Sequence, residues 1–222
     1  MLIHRCDEPL GEREWWEFAR RPLLGHLVAP GAGRLLPVVV PTQYVLTGTP
    51  EAPAVWLHLA RANPIFEALE ESPRLLLSLA GDWAFIPASW KAIGGEDPAR
   101  GIPTTYYAAV QLSGEAEVVD DEAGKVELLR LQLATFQPGD GHVDPSEHVG
   151  QLPAIRGIKL AVSEVRAKFK YGGNVDEEHR AAVAARLEQR GLPGDEEARR
   201  HLLCRLGSLE PPGPPEGRNF SG

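Results

Sequence analysis

The chain has 222 residues, 43 % apolar and 24 % charged, and its 31 Asp and Glu outnumber its 23 Lys and Arg for a formal charge of −8. A chain of this size buries about 70 % of its unfolded surface without disulfide staples, and its acidic balance disfavours sequence-blind binding to nucleic acid or anionic membrane. No apolar run reaches the ~18 residues of a membrane span, and the charged opening lacks the apolar segment of a secretion signal, so a cytoplasmic protein is expected. Cys6 and Cys204 stand at opposite ends with no paired spacing and read as ordinary thiols rather than a bridge or a zinc site.

Residues 12–21 set Trp15, Trp16 and Phe18 among charges, which predicts a short amphipathic helix ended by Pro22. Apolar runs at 23–29 and 35–46 are joined by Pro30-Gly31-Ala32-Gly33, the punctuation of a hairpin. Pro37 and Pro41 flank Val38-Val39-Val40, so this strand has one side free of ladder partners. A third strand is expected at 54–59 and a helix at 61–71, stopped by Pro73. Two further strands are expected at 74–80 and 84–86, followed by a Gly- and Pro-rich loop at 92–103.

Alternation over 104–119 predicts a long strand with Gly114 at a bulge. Asp120 and Asp121 offer an N-cap to a helix at 122–136. After a polar, turn-rich stretch at 137–153, residues 155–170 alternate again as a last strand. Two helices at 176–189 and 195–206 close the fold, split by Gly191-Leu192-Pro193-Gly194. The expected organisation is one domain at 1–209, with a barrel at about 23–170, and a Pro- and Gly-rich tail at 210–222 too poor in apolar residues to order itself. Mostly antiparallel strands with helices inserted and appended suit a small barrel, a mostly β fold with α, and not a doubly wound sheet.

The stretch His58-Leu59-Ala60-Arg61-Ala62-Asn63-Pro64 carries the most chemistry. A strand ends in a histidine and a helix follows at once with an arginine and an asparagine, so backbone N–H groups and a guanidinium together suit a phosphate. The competing reading is that Asn63 caps the helix and Arg61 is a solvated charge. Four blocks in this order resemble the FMN-binding split-barrel (pyridoxamine-phosphate-oxidase-like) superfamily, and within it the PaiB-like FMN-binding negative transcriptional regulators. They are Pro37 to Thr42, His58 to Pro64, Phe85-Ile86-Pro87-Ala88-Ser89-Trp90, and Pro103 through Gly114 to Asp120; Lys168 to Asn174 adds a weaker fifth.

The resemblance implies an antiparallel split barrel that forms a homodimer with FMN at the subunit interface. It implies that Val39, Val40, Pro41 and Thr42 lie along the isoalloxazine and that His58, Leu59, Arg61 and Asn63 hold the phosphate. Trp90, Lys91, Thr105, Lys168 and Lys170 are implied to face the flavin from one subunit or the other, with interface packing as the competing role for Trp90. The chain departs from the family where Gly172 and Gly173 stand in place of Ser and Gln, where Val175 replaces a basic residue, and where Thr105-Tyr106 or a near neighbour replaces a Trp-Asn pair. If those polar groups hold cofactor, the departures imply weakened or lost FMN.

His142, Asp144, Glu147 and His148 fall within seven residues, but Pro145 breaks helical spacing and a solvated loop is expected over a metal site. Glu115, Glu117, Asp120, Asp121 and Glu122 read as a strand face and a helix cap. The arginines of the last two helices (Arg180, Arg186, Arg190, Arg199, Arg200, Arg205) alternate with acids, which argues against a DNA-reading pair. No hydrolase or NTPase motif is present. Three functions compete: a flavin-binding regulator, a flavin-dependent oxidoreductase of a small molecule, and a dimeric binding module without cofactor. Fold alone does not choose among them.

Overall fold

A computed structural model describes residues 1–207 except 22, 93–96, 140 and 142. Pro22, the middle of the expected loop at 92–103, His142 and the expected tail at 210–222 therefore lie outside the described residues. In chain order the elements are α1 (Glu12–Arg20), β1 (Gly25–Ala29), β2 (Val38–Thr42), β3 (Val45–Thr49), β4 (Ala52–Ala60), α2 (Ile65–Glu71), β5 (Arg74–Ile86) and α3 (Ala88–Lys91). There follow β6 (Thr104–Val119), α4 (Glu122–Phe136), β7 (Ile155–Lys170), α5 (Glu177–Arg190) and α6 (Asp195–Arg205). The seven strands form one open sheet in the order β2-β1-β5-β6-β7-β4-β3. β1 pairs antiparallel with β2 and β5, and β4 pairs antiparallel with β3 and β7. This is the mostly β, split-barrel class expected from the strand pattern.

The chain divides into two compact units. One comprises Ala19–Leu79 and Gln111–Arg166. Its core is Leu27, Leu57, Leu77, Leu112, Leu128 and Ile158, all essentially without solvent contact, each contributing about 1.5–3 kcal/mol of burial. The other comprises Met1–Phe18, Ala80–Val110 and the chain from Ala167 on. It buries Phe18 edge-on against Phe169, with centroids 5.8 Å apart, and Tyr106 edge-on against Tyr171. α1 is the expected amphipathic helix, and the fold buries Glu14 and Glu17 along with its apolar residues.

Several boundaries differ from the pattern reading. The run at 35–46 is two strands, β2 and β3, at opposite edges of the sheet. Tyr44 turns the chain between them: it is buried, and its hydroxyl donates to the Ala19 carbonyl at 2.7 Å. α2 begins at Ile65 rather than Arg61, because Arg61 donates its N–H to the Ala154 carbonyl at the end of the strand pairing and Pro64 disfavours a helical conformation in the residue before it. The strands expected at 74–80 and 84–86 are one, β5, in which Asp82 adopts a left-handed φ of 51°. At Gly114, inside β6, a Cβ would run into the Ala161 carbonyl, so the glycine supplies close approach of backbones.

The ends expected for α4 and α5 agree with the structure to within a residue or two. Asp121 caps α4 by accepting from Gly124 N at 2.8 Å. Asp176 caps α5 by accepting from His179 N, and α5 ends on Gly191 in the left-handed conformation. Among the described residues no helix is long and apolar enough to cross a membrane.

Candidate functional site

At one edge of the sheet, β2 presents Val39 half-exposed, Val40 partly covered and Thr42 buried. Only one side of β2 is paired, to β1 in the register Val39–Val28 and Val40–Leu27, so its outer backbone groups have no strand partner. Pro41 interrupts that row because it carries no donor. The Thr42 hydroxyl donates to the Gln43 carbonyl at 2.9 Å. α2 packs against β1 and β2, which brings the valine strand and the segment following β4 into the same unit.

The β4–α2 junction is closed on itself. His58 Nδ1 bonds the Gln132 side-chain oxygen from α4, and Leu59 pairs with Arg156 across β7. Asn63 Oδ1 accepts from Ile65 N at 3.1 Å and its carbonyl accepts from Phe66 N, so it caps α2. The Arg61 guanidinium donates twice to Asp120, at 2.9 and 2.5 Å, and once to the Pro153 carbonyl at 2.6 Å. Asp120 also accepts from the nearly buried Lys125 ammonium at 2.7 Å and lies 3.3 Å from Arg156 Nε. The hydrogen bonds from Arg61 and then Lys125, with the charges of both, hold the Asp120 carboxyl far below the usual carboxylate range. Arg156 is balanced further by Glu70 at 3.6 Å and by stacking on Phe66.

The other unit carries the remaining residues. Trp90, on α3, is covered by the Arg190 guanidinium 4.8 Å above its ring. Lys168 is buried, donates to the Leu2 carbonyl at 3.0 Å and pairs with Asp7 at 3.4 Å, which makes it an anchor for the N-terminal segment. Lys170 ends β7 and donates to the Thr104 hydroxyl at 2.7 Å; Thr105 follows, partly covered, at the start of β6. Lys91 ends α3, and its ammonium is held below the ordinary value by burial and then by the charge of Lys170. Lys91 and Lys170 are thus brought together, whereas Lys168 serves the N-terminal segment.

The glycines that replace the family's polar pair have a steric cause. Gly172 has φ 68°, and a Cβ there would press on the Tyr106 hydroxyl; a Cβ on Gly173 would overlap the Cys6 carbonyl. Tyr106 is 1 % exposed, its hydroxyl is unpartnered, and burial pushes its pKa up to about 12.

Pattern reading missed Asp120 as a hub, Lys125, Gln132 and Arg156, and it missed His179 and Arg186 on α5. A signal existed for Asp120, since of two adjacent aspartates only one can cap α4. In the polar stretch at 142–148, expected as a solvated loop, Asp144 takes a two-point pair from Arg130 and accepts from Ser146 N. Among the described residues no group of three or more His, Cys, Asp or Glu could hold a metal ion.

The sequence model of a family described as "Putative FMN-binding domain" matches residues 6–164. Among curated proteins, the "Protease synthase and sporulation protein PAI 2" of Bacillus subtilis (strain 168) is 22 % identical over 206 residues, covering 87 % of this chain and 92 % of that protein. Two solved structures share the fold. The flavocytochrome Anf3 of Azotobacter vinelandii is 24 % identical with a TM-score of 0.56, over 81 % of this chain and 78 % of that one. The FAD and heme binding protein of Mycobacterium smegmatis is 17 % identical with a TM-score of 0.57, over 78 % of each chain.

Proposed function

The chain belongs to the FMN-binding domain family whose model spans residues 6–164, and on that premise we propose that it binds FMN as a homodimer and acts as a PaiB-like regulatory protein. Flavin binding follows from the family, and the observation that supports its place is the free edge of β2. An edge strand offers N–H donors and carbonyl acceptors to the polar rim of an isoalloxazine, and Val39 and Val40 add apolar cover for its face. Flavin, when bound, supplies hydride or electron transfer of its own; the chain's residues bind and orient it. Arg61 reaches a phosphate only by leaving Asp120, so that carboxylate acts as an internal anion with which the phosphate competes.

Two features support the dimer. Leu35 and Leu36, which precede β2, are 97 % and 75 % exposed, and Val39 beside them is 52 % exposed, an apolar strip on an open sheet edge. A second copy of the chain covers such a strip isologously. The regulatory role is supported by the relative in Bacillus subtilis, whose likeness runs over nearly the full length of both proteins. Direct DNA reading by α5 and α6 is no part of the proposal. Arg190 is paired to Asp195, Arg199 to Glu188 and Glu196, and Arg180 and Arg205 donate to backbone carbonyls, so four of their arginines already serve the unit.

The test is the visible absorbance of the purified protein before and after FMN, read together with its mass in solution. Flavin bands that co-elute with a dimer are expected. A colourless protein that FMN leaves unperturbed overturns the cofactor assignment, and turnover with NAD(P)H moves the function to an oxidoreductase.

A further inference from the structure

Several basic side chains of this acidic protein are neutralised by a carboxylate: Arg34 by Glu71, Arg61 and Lys125 by Asp120, Arg130 by Asp144, Lys168 by Asp7, Arg190 by Asp195 and Arg199 by Glu188. Another group of cations has no such counter-charge. Lys91 at the end of α3, Lys170 at the end of β7 and Arg186 on α5 form no ion pair among the described residues. Their recorded partners are neutral: Lys170 donates to the Thr104 hydroxyl, and Arg186 reaches the Ser89 carbonyl at 3.5 Å.

These residues are neighbours. α3 packs on α5, and Arg186 lies two turns along α5 from His179, on the same face. His179 is held below its ordinary pKa first by burial, then by Lys91, and also by Arg186, with Asp176 opposing; Lys91 in turn feels Lys170. His179 Nε2 is buried and has no hydrogen-bond partner, although its backbone N–H is satisfied by Asp176. Like charges drawn together in a partly covered place cost stability unless a counter-charge is recruited, and a buried nitrogen without a partner adds to that cost. Lys170, His179 and Arg186 all lie beyond the residues matched by the family model; the end of β7 supplies the first and α5 the other two.

We propose that Lys91, Lys170, His179 and Arg186 form a binding site for an oxyanion, the carboxylate or phosphate group of a small molecule, completed by the appended helix α5. Lys91 and Lys170 supply point charges, Arg186 supplies a planar fork, and His179 Nε2 supplies the neutral contact that identifies the occupant. The site stands without flavin. Its occupant is either the phosphate of the bound cofactor or the anionic group of a separate substrate or effector.

Inorganic phosphate is the probe, and the His179 imidazole in the full-length, flavin-free chain is the reporter. Its resonance is assigned with His179→Gln and titrated by nuclear magnetic resonance at constant ionic strength against chloride. Phosphate is expected to raise the His179 titration midpoint saturably. Arg186→Gln or Lys170→Gln is expected to weaken half-saturation by about tenfold or more, the loss of one charge-assisted contact. Arg186 makes one long bond to Ser89, so its variant keeps the fold, as an unchanged thermal midpoint verifies. A response equal to that of chloride, or one unaltered by both variants, overturns the site. FMN and riboflavin are then compared on Arg186→Gln. A loss of affinity for FMN alone makes the cofactor's phosphate the occupant, and unchanged affinity for both assigns the site to another molecule. Absence of flavin bands in the wild-type protein overturns the cofactor reading without touching the phosphate result.

Discussion

Arg61 and Asp120 form a two-point ion pair across 59 positions of sequence, with Nη1 2.9 Å from one carboxylate oxygen and Nη2 2.5 Å from the other. The pair joins the end of β4 to the end of β6, and it turns the guanidinium expected to meet a phosphate inward. Because Asp120 is shared with Lys125 and Arg156, removing either side of the pair has unequal effects.

Asp120→Ala leaves the nearly buried Lys125 ammonium with the Leu152 carbonyl alone. It is expected to cost about 2–3 kcal/mol in urea unfolding, the penalty of an unpaired buried charge. Arg61→Ala keeps Lys125 paired and is expected to cost much less than Asp120→Ala, because an exposed pair adds little stability. Equal costs for the two variants would remove the hub role from Asp120.

On the proposed reading that Arg61 meets the phosphate, the same pair governs affinity for FMN. Arg61→Ala is expected to weaken binding by about 1.5–3 kcal/mol, and Asp120→Asn, which frees the fork, to tighten it. Fluorescence titration with FMN reads both. Unchanged affinity in both variants would move the phosphate away from this junction.

His201 on α6 is buried between Glu14 and Asp82, at 3.3 and 2.9 Å, and stacks on Tyr171 with centroids 4.4 Å apart. Burial opposes its proton, but the hydrogen bonds and charges of Asp82 and Glu14 outweigh burial and raise its pKa. A group raised on folding contributes stability that is complete below its unfolded value and is lost as pH climbs through the folded one. Unfolding free energy is therefore expected to fall above pH of about 6.5, and His201→Gln to flatten that fall. A wild-type profile flat between neutral and alkaline pH would contradict the charged triad.

Gly173→Ala places a methyl group against the Cys6 carbonyl, where rigid backbone must give way. A loss of about 1–3 kcal/mol is expected, with faster proteolysis of the N-terminal segment. Wild-type stability would mean that the close approach is not maintained in solution.

Leu35→Asp together with Leu36→Asp removes the apolar strip beside β2. Light scattering is expected to report a monomer with an unchanged far-ultraviolet spectrum. A persistent dimer would place the interface on another surface.

Much of the secondary structure was legible from local patterns. β6, β7, α4 and α5 carry their own signals: alternation along much of β6 and over part of β7, and a capping aspartate or a left-handed glycine at the ends of α4 and α5. The four blocks around Val39, His58, Phe85 and Thr104 likewise pointed to the family from residue order alone. Other features depended on partners far along the chain. β5 runs through Asp82 despite its left-handed φ, and the carboxylate of that residue meets His201, 119 positions away. Tyr44 sends β2 and β3 to opposite edges by bonding the Ala19 carbonyl. Arg61 looks the same in sequence whether it awaits a phosphate or holds Asp120, and Lys91 gives no sign of His179 and Arg186. Periodicity and capping are interactions within a few residues, so sequence by itself determined the elements. Charge pairing and close approach act through space between distant residues, so only the tertiary structure decided which cations are neutralised and which are left to meet an anion.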